Sequence, residues 1–323
     1  MKKQKIRFYA ALLCSSMVFS LVSTPVSAAE TGQLTNPPTS TEELSSPESI
    51  SGNEAASALN GLSVLAANGE AEVTTASELT GALADSSISR ITLKGDIDIG
   101  STLTVNRTVT LDLNGCVLKM TGSDSVIKVE ADGDLTIQDR NTTTQHKFNP
   151  HCKYLTWYID MWELDNGGSE IVSGGVITGG GGDQSNGGGV LVAGGTLVMA
   201  GGSIVGCSAM SRGGGVCNNG TFIMSDGMIK GCTSPDGQYA SGGGVRNSNQ
   251  FTMTGGMIGD PDNENDASHV YNTSSQETTL TISGNAKIYT DITNVGILNA
   301  DGGEIAGTMT NDTNRYGTGT ITG

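Results

Sequence analysis

Aromatic residues make up only 4% of this 323-residue chain, so a core built on large rings is excluded and Val, Ile, Leu and Met have to supply the packing. Histidine is scarcer still, at three, and no two cysteines stand in a Cys-x-x-Cys arrangement, which removes the ligand sets of structural zinc sites. Basic residues number 17 against 33 acidic ones, a formal net charge of −16. A surface with that balance repels nucleic acid and anionic lipid, and it opposes acidic glycans unless cations bridge the two. No stretch reaches the roughly 20 consecutive apolar residues that a membrane-spanning helix requires. Beyond Cys14 the chain carries Cys116, Cys152, Cys207, Cys217 and Cys232, an odd and scattered set that does not form a disulfide framework and reads as small buried apolar groups.

What is present begins with an export signal. Lys2, Lys3, Lys5 and Arg7 precede an apolar stretch to Val22, and Val26-Ser27-Ala28 or Ser27-Ala28-Ala29 offers a small-residue cleavage site, so residues 1–29 read as a signal peptide. Leu13 before Cys14 argues against lipid attachment there. Cleavage would remove those four of the 17 basic residues and no acidic one, making the mature chain more acidic, at 13 against 33. Residues 30–70 contain Pro37-Pro38 and many Ser, Thr and Glu residues, with hardly a ring to bury. Such a segment cannot offset its ordering entropy and is expected to be a disordered spacer.

From Glu72 onward the pattern changes. Thr75 or Ser77 can cap a short helix reaching Asp85, with Leu79, Ala82 and Leu83 at helical spacing. Alternation of period two comes next, in Ile91/Leu93, Ile97/Ile99, Leu103/Val105, Val109/Leu111/Leu113, Ile127/Val129 and Leu135/Ile137, broken by Gly, Asn and Asp turns. The second half then repeats. Gly187-Gly188-Gly189-Val190 returns as Gly213-Gly214-Gly215-Val216 and as Gly242-Gly243-Gly244-Val245. Thr196-Leu197-Val198-Met199 returns as Thr221-Phe222-Ile223-Met224 and, more loosely, as Gln250-Phe251-Thr252-Met253. Gly202-Ser203-Ile204 returns as Gly227-Met228-Ile229 and Gly256-Met257-Ile258, and related phrases stand at Gly174-Gly175-Val176-Ile177 and Gly302-Gly303-Glu304-Ile305.

A unit of about 25 residues with three short strands and Gly-rich corners is the size of one coil of a β-solenoid. Helical repeats are excluded, because a Gly every few residues would cost a helix roughly 1 kcal/mol apiece. Stacked rungs require Leu197, Phe222 and Phe251 to form one internal ladder, and Met199, Met224 and Met253 another. The fold class expected for residues 71–323 is therefore all-β, a three-sided parallel β-helix with a short N-terminal capping helix.

On the triple-glycine repeats and the run from Thr102 to Gly115, the chain resembles the bacterial secreted or surface right-handed parallel β-helix proteins of the pectin-lyase-like group. That group includes adhesin-like surface proteins beside polysaccharide lyases and glycoside hydrolases. The resemblance implies an extracellular location and a right-handed coil. An enzyme of this group would need carboxylates from sequence-distant rungs to converge in one groove. Asp96, Asp98 and Asp112, near Lys94 and Arg107, are scattered, and neither a Gly-His-Gly nor an Arg-x-Lys motif occurs. No catalytic residue is assigned.

Two other regions hold candidates. The insertion at about 141–167 concentrates Tyr154, Trp157, Tyr158 and Trp162, with Phe148, His146, His151 and Cys152. Exposed rings there would stack on sugars or fill a partner's pocket. The helix-like spacing of Tyr154, Trp157, Tyr158, Met161 and Trp162 points instead to packing against the flank of the coil. The loop containing Asp260, Asp262 and Asp266 places oxygen donors at alternate positions but lacks the glycine and distant Glu of an EF-hand, so a Ca²⁺ site there is a weak candidate beside a solvated turn. No cofactor is expected. The chain ends in the strand-like Thr318–Thr322, so its continuation past Gly323, or end-to-end association through an open edge, is anticipated. The function expected is a non-enzymatic surface scaffold or adhesin-type module that recognises a carbohydrate or a host or matrix protein. The alternative is a polysaccharide lyase or glycoside hydrolase.

Overall fold

The computed structural model describes residues 69–153, 160–181, 186–234, 242–263, 266–273, 277–311 and 320–322. The chain divides into two units, Met1–Ser51 and Gly52–Gly323. The segments read as signal peptide and spacer, residues 1–68, lie outside the described residues.

The described part is almost entirely strand, with one short helix. Thr75 caps that helix, Ala76–Ala84, through a reciprocal pair of bonds with Glu78, and Leu79, Ala82 and Leu83 are buried in the same core as the first strands. Arg107 holds the other end by donating to the carbonyls of Ala82 and Leu83 at 2.8 and 2.9 Å. A guanidinium suits this place, because the last carbonyls of a helix lack partners and carry partial negative charge.

The strands form a 14-stranded and an 8-stranded parallel sheet, with a small antiparallel sheet beside them. Within the larger sheet the pairing runs in two columns. The first passes through Arg90–Leu93, Thr108–Asp112, Asp134–Gln138 and the opening halves of Thr196–Val205 and Thr221–Lys230. The second passes through Ile97–Ile99, Val117–Met120, Val176–Thr178 and the closing halves of the same long strands. The 8-stranded sheet is the third column, from Leu103–Val105 to Met309–Asn311. The chain visits the three columns in order and then starts again, an arrangement consistent with a β-helix.

Register in each column is set by like residues stacking. Leu197, Phe222 and Phe251 are in direct register and buried, as are Met199, Met224 and Met253. The Phe222 and Phe251 rings stack with centroids 4.5 Å apart and planes 10° from parallel. The second column carries a ladder of Leu118, Ile177, Ile204, Ile229, Ile258 and Ile288. β-branched side chains in register fill the space between rungs with a single χ1 rotamer each.

The third column also contains a ladder that the apolar pattern does not reveal. Asn218, Asn247, Asn272, Asn294 and Asn311 occupy one position on successive rungs, and the first four are fully buried. Each amide donates to the side-chain oxygen of the next, at 2.7, 2.8, 2.8 and 3.0 Å. The second N–H of Asn218, Asn247 and Asn272 reaches a backbone carbonyl at the following turn, at 2.8 to 3.0 Å. A buried amide is tolerated only when its donors and acceptor are all engaged, and stacking identical residues meets that condition rung after rung.

The triple glycines enter this column and are packed backbone on backbone. The N–H of Gly188 donates to Gly213, that of Gly189 to Gly214 and that of Gly215 to Gly243. Gly213 has φ +63°, and a Cβ on Gly214 would lie 2.2 Å from the Thr233 oxygen and 2.6 Å from that of Gly243. The third glycines, Gly189 and Gly215, face the buried Cys207 and Cys232 sulfurs, which fill the space left open. The expectation of cysteines as small buried groups fits these two and Cys217, whereas Cys116 is only half-buried.

Gly214→Ala is therefore expected to destabilise the protein by about 1–3 kcal/mol or more, the cost of overpacking an interior. At Gly95, with nothing within 4 Å of an added Cβ, alanine should leave stability unchanged or slightly raised. Urea unfolding of the two variants side by side measures the contrast.

Candidate functional site

Among its described residues, the inserted segment folds as strands. Gln145–Lys153 pairs antiparallel with Asp160–Leu164 on one side and Glu170–Ser173 on the other. The antiparallel sheet reaches Ser173. A two-residue period governs the face that counts, with Phe148, Trp162 and Val172 buried together against Val176 and Val205 of the second column. Met161 and Trp162, the described members of the helix-spaced set, lie on the strand Asp160–Leu164. Tyr154, Trp157 and Tyr158 lie outside the described residues.

Trp162 is 2% exposed and its ring is covered on both sides. A Cβ on Gly231 would stand 2.1 Å from its Cγ, so only glycine admits the ring at that rung. Lys230 Nζ sits 4.2 Å from the ring centroid and pairs with Asp260 at 3.2 Å, with both charged side chains buried. Phe148 lies against the ring with centroids 6.4 Å apart. Trp162 therefore seats the inserted sheet on the stack rather than presenting a free face to a ligand.

The aspartate loop is committed to the same seat. Asp260 receives Lys230 and the Asp262 N–H. Asp266 receives the N–H groups of Gly231 and Ser268 at 2.9 to 3.2 Å. Burial pushes the Asp266 carboxyl up from its ordinary range, opposed by those hydrogen bonds and reinforced by nearby Asp260. Among the described residues no three of His, Cys, Asp and Glu are grouped so as to hold a metal ion, and Asp260, Asp262 and Asp266 form no such group. His146 bonds the Gly115 carbonyl at 3.0 Å through Nε2.

Of the early carboxylates, Asp96 and Asp112 are likewise occupied within the fold. Asp96 accepts from Val117 N–H, while Lys94 pairs with Glu72. Asp112 is fully buried. Burial raises its pKa, but hydrogen bonds from Arg140 and Gln138 outweigh that and hold it below the ordinary carboxylate range. Asp98 is exposed on the first strand of the second column. One outward row of that column runs Val117, Val176, Ser203, Met228, Met257, Lys287 and Glu304 in register, with its one carboxylate at the last of these rungs.

Beside the inserted sheet, an open groove of about 600 Å³ runs along the turns between the first and second columns. Its floor repeats rung by rung as Gly201-Gly202, Ser225-Asp226-Gly227 and Thr254-Gly255-Gly256, and its ends are marked by Asp139 and Lys287. Asp139 is held by the N–H groups of Gly115, Gly175 and Asn141, and Asp226 accepts from the N–H of Gly227. The groove offers hydroxyls, backbone groups, the Lys287 cation and the exposed Asp226 carboxylate, at a spacing of about 4.8 Å per rung. No pattern of apolar residues foretells it. The signal is the fixed place of Gly-Gly or Asp-Gly at one corner of each repeat.

A family model described as "Putative pectate lyase-like adhesive domain" matches residues 70–173. That stretch carries the helix, the first rungs and the inserted sheet, and stops before the triple-glycine repeats. The match supports the pectin-lyase-like resemblance and an adhesin-like module. No curated protein and no solved structure matches the chain. Among the described residues, no helix is long and apolar enough to cross a membrane.

Lys230→Met strands the Asp260 charge in the interior and should cost about 3–5 kcal/mol, whereas Lys230→Met with Asp260→Leu should recover most of the loss. Denaturant unfolding of both variants measures this. Equal destabilisation by the two would mean that the ion pair does not hold the seat.

Proposed function

We propose that the chain is a non-enzymatic adhesive module, exported by a bacterium through the signal peptide at residues 1–29 and held at or near the cell surface. Residues 30–70 act as a spacer, and the strands from residue 71 close into a right-handed, three-sided coil that displays the groove and the inserted sheet. The partner is a carbohydrate or a host or matrix protein, bound along the groove, and Tyr154, Trp157 and Tyr158 of the insertion are candidate ligand contacts.

The observation that carries this reading is the outward face of the second column. Cleavage of a glycosidic bond by paired carboxylates needs two of them, uncommitted and facing one bond. One outward row carries a single carboxylate, Glu304, at its far end, where it accepts from the Tyr289 hydroxyl, and the other carries Asp98 on the first rung, so the two stand at opposite ends of the stack; part of the face between them is covered by the Trp162 seat, and Asp139 is engaged by three backbone N–H groups. A groove of hydroxyls and backbone suits reversible binding of an extended polar chain. The match to an adhesive domain over residues 70–173 agrees with it.

The test is a glycan and matrix-protein array, followed by a reducing-end assay on every glycan retained. Binding without new ends is expected, and Ser225→Trp, which fills the groove from an exposed position, should weaken it by about ten-fold, or 1.4 kcal/mol. New reducing ends would replace this reading with a lyase or hydrolase.

A further inference from the structure

The third column carries a charge arrangement that the groove does not use. Its outward row reads Cys217, Arg246, Tyr271, Thr293 and Thr310 in direct register on successive rungs. Arg246 is half-buried and donates from Nη1 to Ser248 Oγ at 2.8 Å. Arg212, exposed, stands immediately before the triple glycine that leads into Cys217. Gly213, next to Arg212, packs against this row, since an added Cβ there would lie 2.8 Å from the Cys217 Cα, and Cys217 is in register with Arg246. Burial lowers the Arg246 pKa first, and the Arg212 charge lowers it further. Cys217 does not neutralise them, since burial pushes its thiol up and keeps it protonated. Among the described residues, neither arginine forms an ion pair with a carboxylate, in a chain with 33 acidic groups against 17 basic ones.

Two neighbouring guanidinium groups, one of them partly desolvated, cost free energy unless an anion joins them. The guanidinium fork matches a carboxylate with two parallel hydrogen bonds. We propose that Arg212 and Arg246 bind the carboxylate of a terminal acidic sugar on an otherwise neutral glycan, the sugar extending along the row toward Tyr271 and Thr293. The rungs beyond the arginines favour a sugar over an acidic peptide. They present an aromatic ring and then threonines at intervals of about 4.8 Å, which offer a stacking face and hydroxyl partners. A single carboxylate is favoured over a polyanion because the net charge of −16 repels a chain of repeated charges, while one arginine pair neutralises one or two. This site is separate from the groove and goes beyond the adhesive reading.

The experiment uses the mature chain with three probes: sialyllactose, lactose and polygalacturonate. Sialyllactose should bind, with lactose and polygalacturonate each weaker by about ten-fold or more, and Arg246→Gln should remove that preference while Arg246→Lys restores it only in part. Ser225→Trp should leave sialyllactose binding unchanged, so that loss of groove binding and loss of this site are told apart. Equal affinity for lactose and sialyllactose, preference for the polyanion, or no binding of sialyllactose would each overturn the proposal. A second readout needs no ligand. Removing an uncompensated cation should leave Tm unchanged or raise it at low salt, with the gap closing at high salt, whereas a fall in Tm for Arg246→Gln would mean that the guanidinium holds the fold and would overturn the assignment.

Discussion

Parallel pairing in exact repeat register is the constraint on which the rest of this structure depends. Because each residue sits about 4.8 Å from its counterpart on the next rung, whatever one rung places inside, the next must accept directly above it. Apolar residues satisfy this easily, as the Leu118 to Ile288 ladder does. Polar and backbone groups satisfy it only under stricter terms. The asparagine ladder meets them by hydrogen bonding like to like, and the triple glycines by having no side chain in the contact. The same constraint turns the outward rows into stripes, since any residue type repeated on the outside stacks on its counterpart.

Much of this is legible in the sequence because it is periodic. The Gly-Gly-Gly-Val phrase and the Leu197/Phe222/Phe251 correspondence identify which residues stack, and the capping helix is announced by Leu79, Ala82 and Leu83 behind a cap at Thr75 or Ser77, of which Thr75 serves. The asparagine ladder is equally periodic, yet hydrophobic patterning hides it. Val216-Cys217-Asn218, Val245-Arg246-Asn247 and Val270-Tyr271-Asn272 repeat a Val-x-Asn phrase, but a polar residue in an inward position runs against apolar alternation. The signal lies in an Asn two residues after the inward Val, Ile or Met of each rung, not in hydrophobicity.

The insertion is illegible for a different reason. Its cluster of Phe148, Trp162 and Val172 is assembled from three strands, so no single period in the sequence describes it. Its seat is more distant still. Lys230 and Asp260 come from rungs well downstream of Phe148, and the glycine that admits the Trp162 ring belongs to a repeat where glycine already has another explanation. The Asp260–Asp266 loop is ambiguous on the same point, because alternating carboxylates serve a buried lysine and two rungs of backbone N–H as readily as a cation.

A stack of this kind separates stability from recognition. Ladders of identical residues hold the core, and the turns and outward rows are left to vary, which is how one architecture serves both adhesion and catalysis. The central claim is the register itself. Phe148, Phe222 and Phe251 are the only phenylalanines beyond residue 29, so a mature chain labelled at phenylalanine gives three ring systems to assign. Strong nuclear Overhauser contacts between the Phe222 and Phe251 rings, across 29 positions of sequence, are the predicted result. Their absence in a folded sample would contradict the stacking on which the fold, the groove and the arginine row all rest.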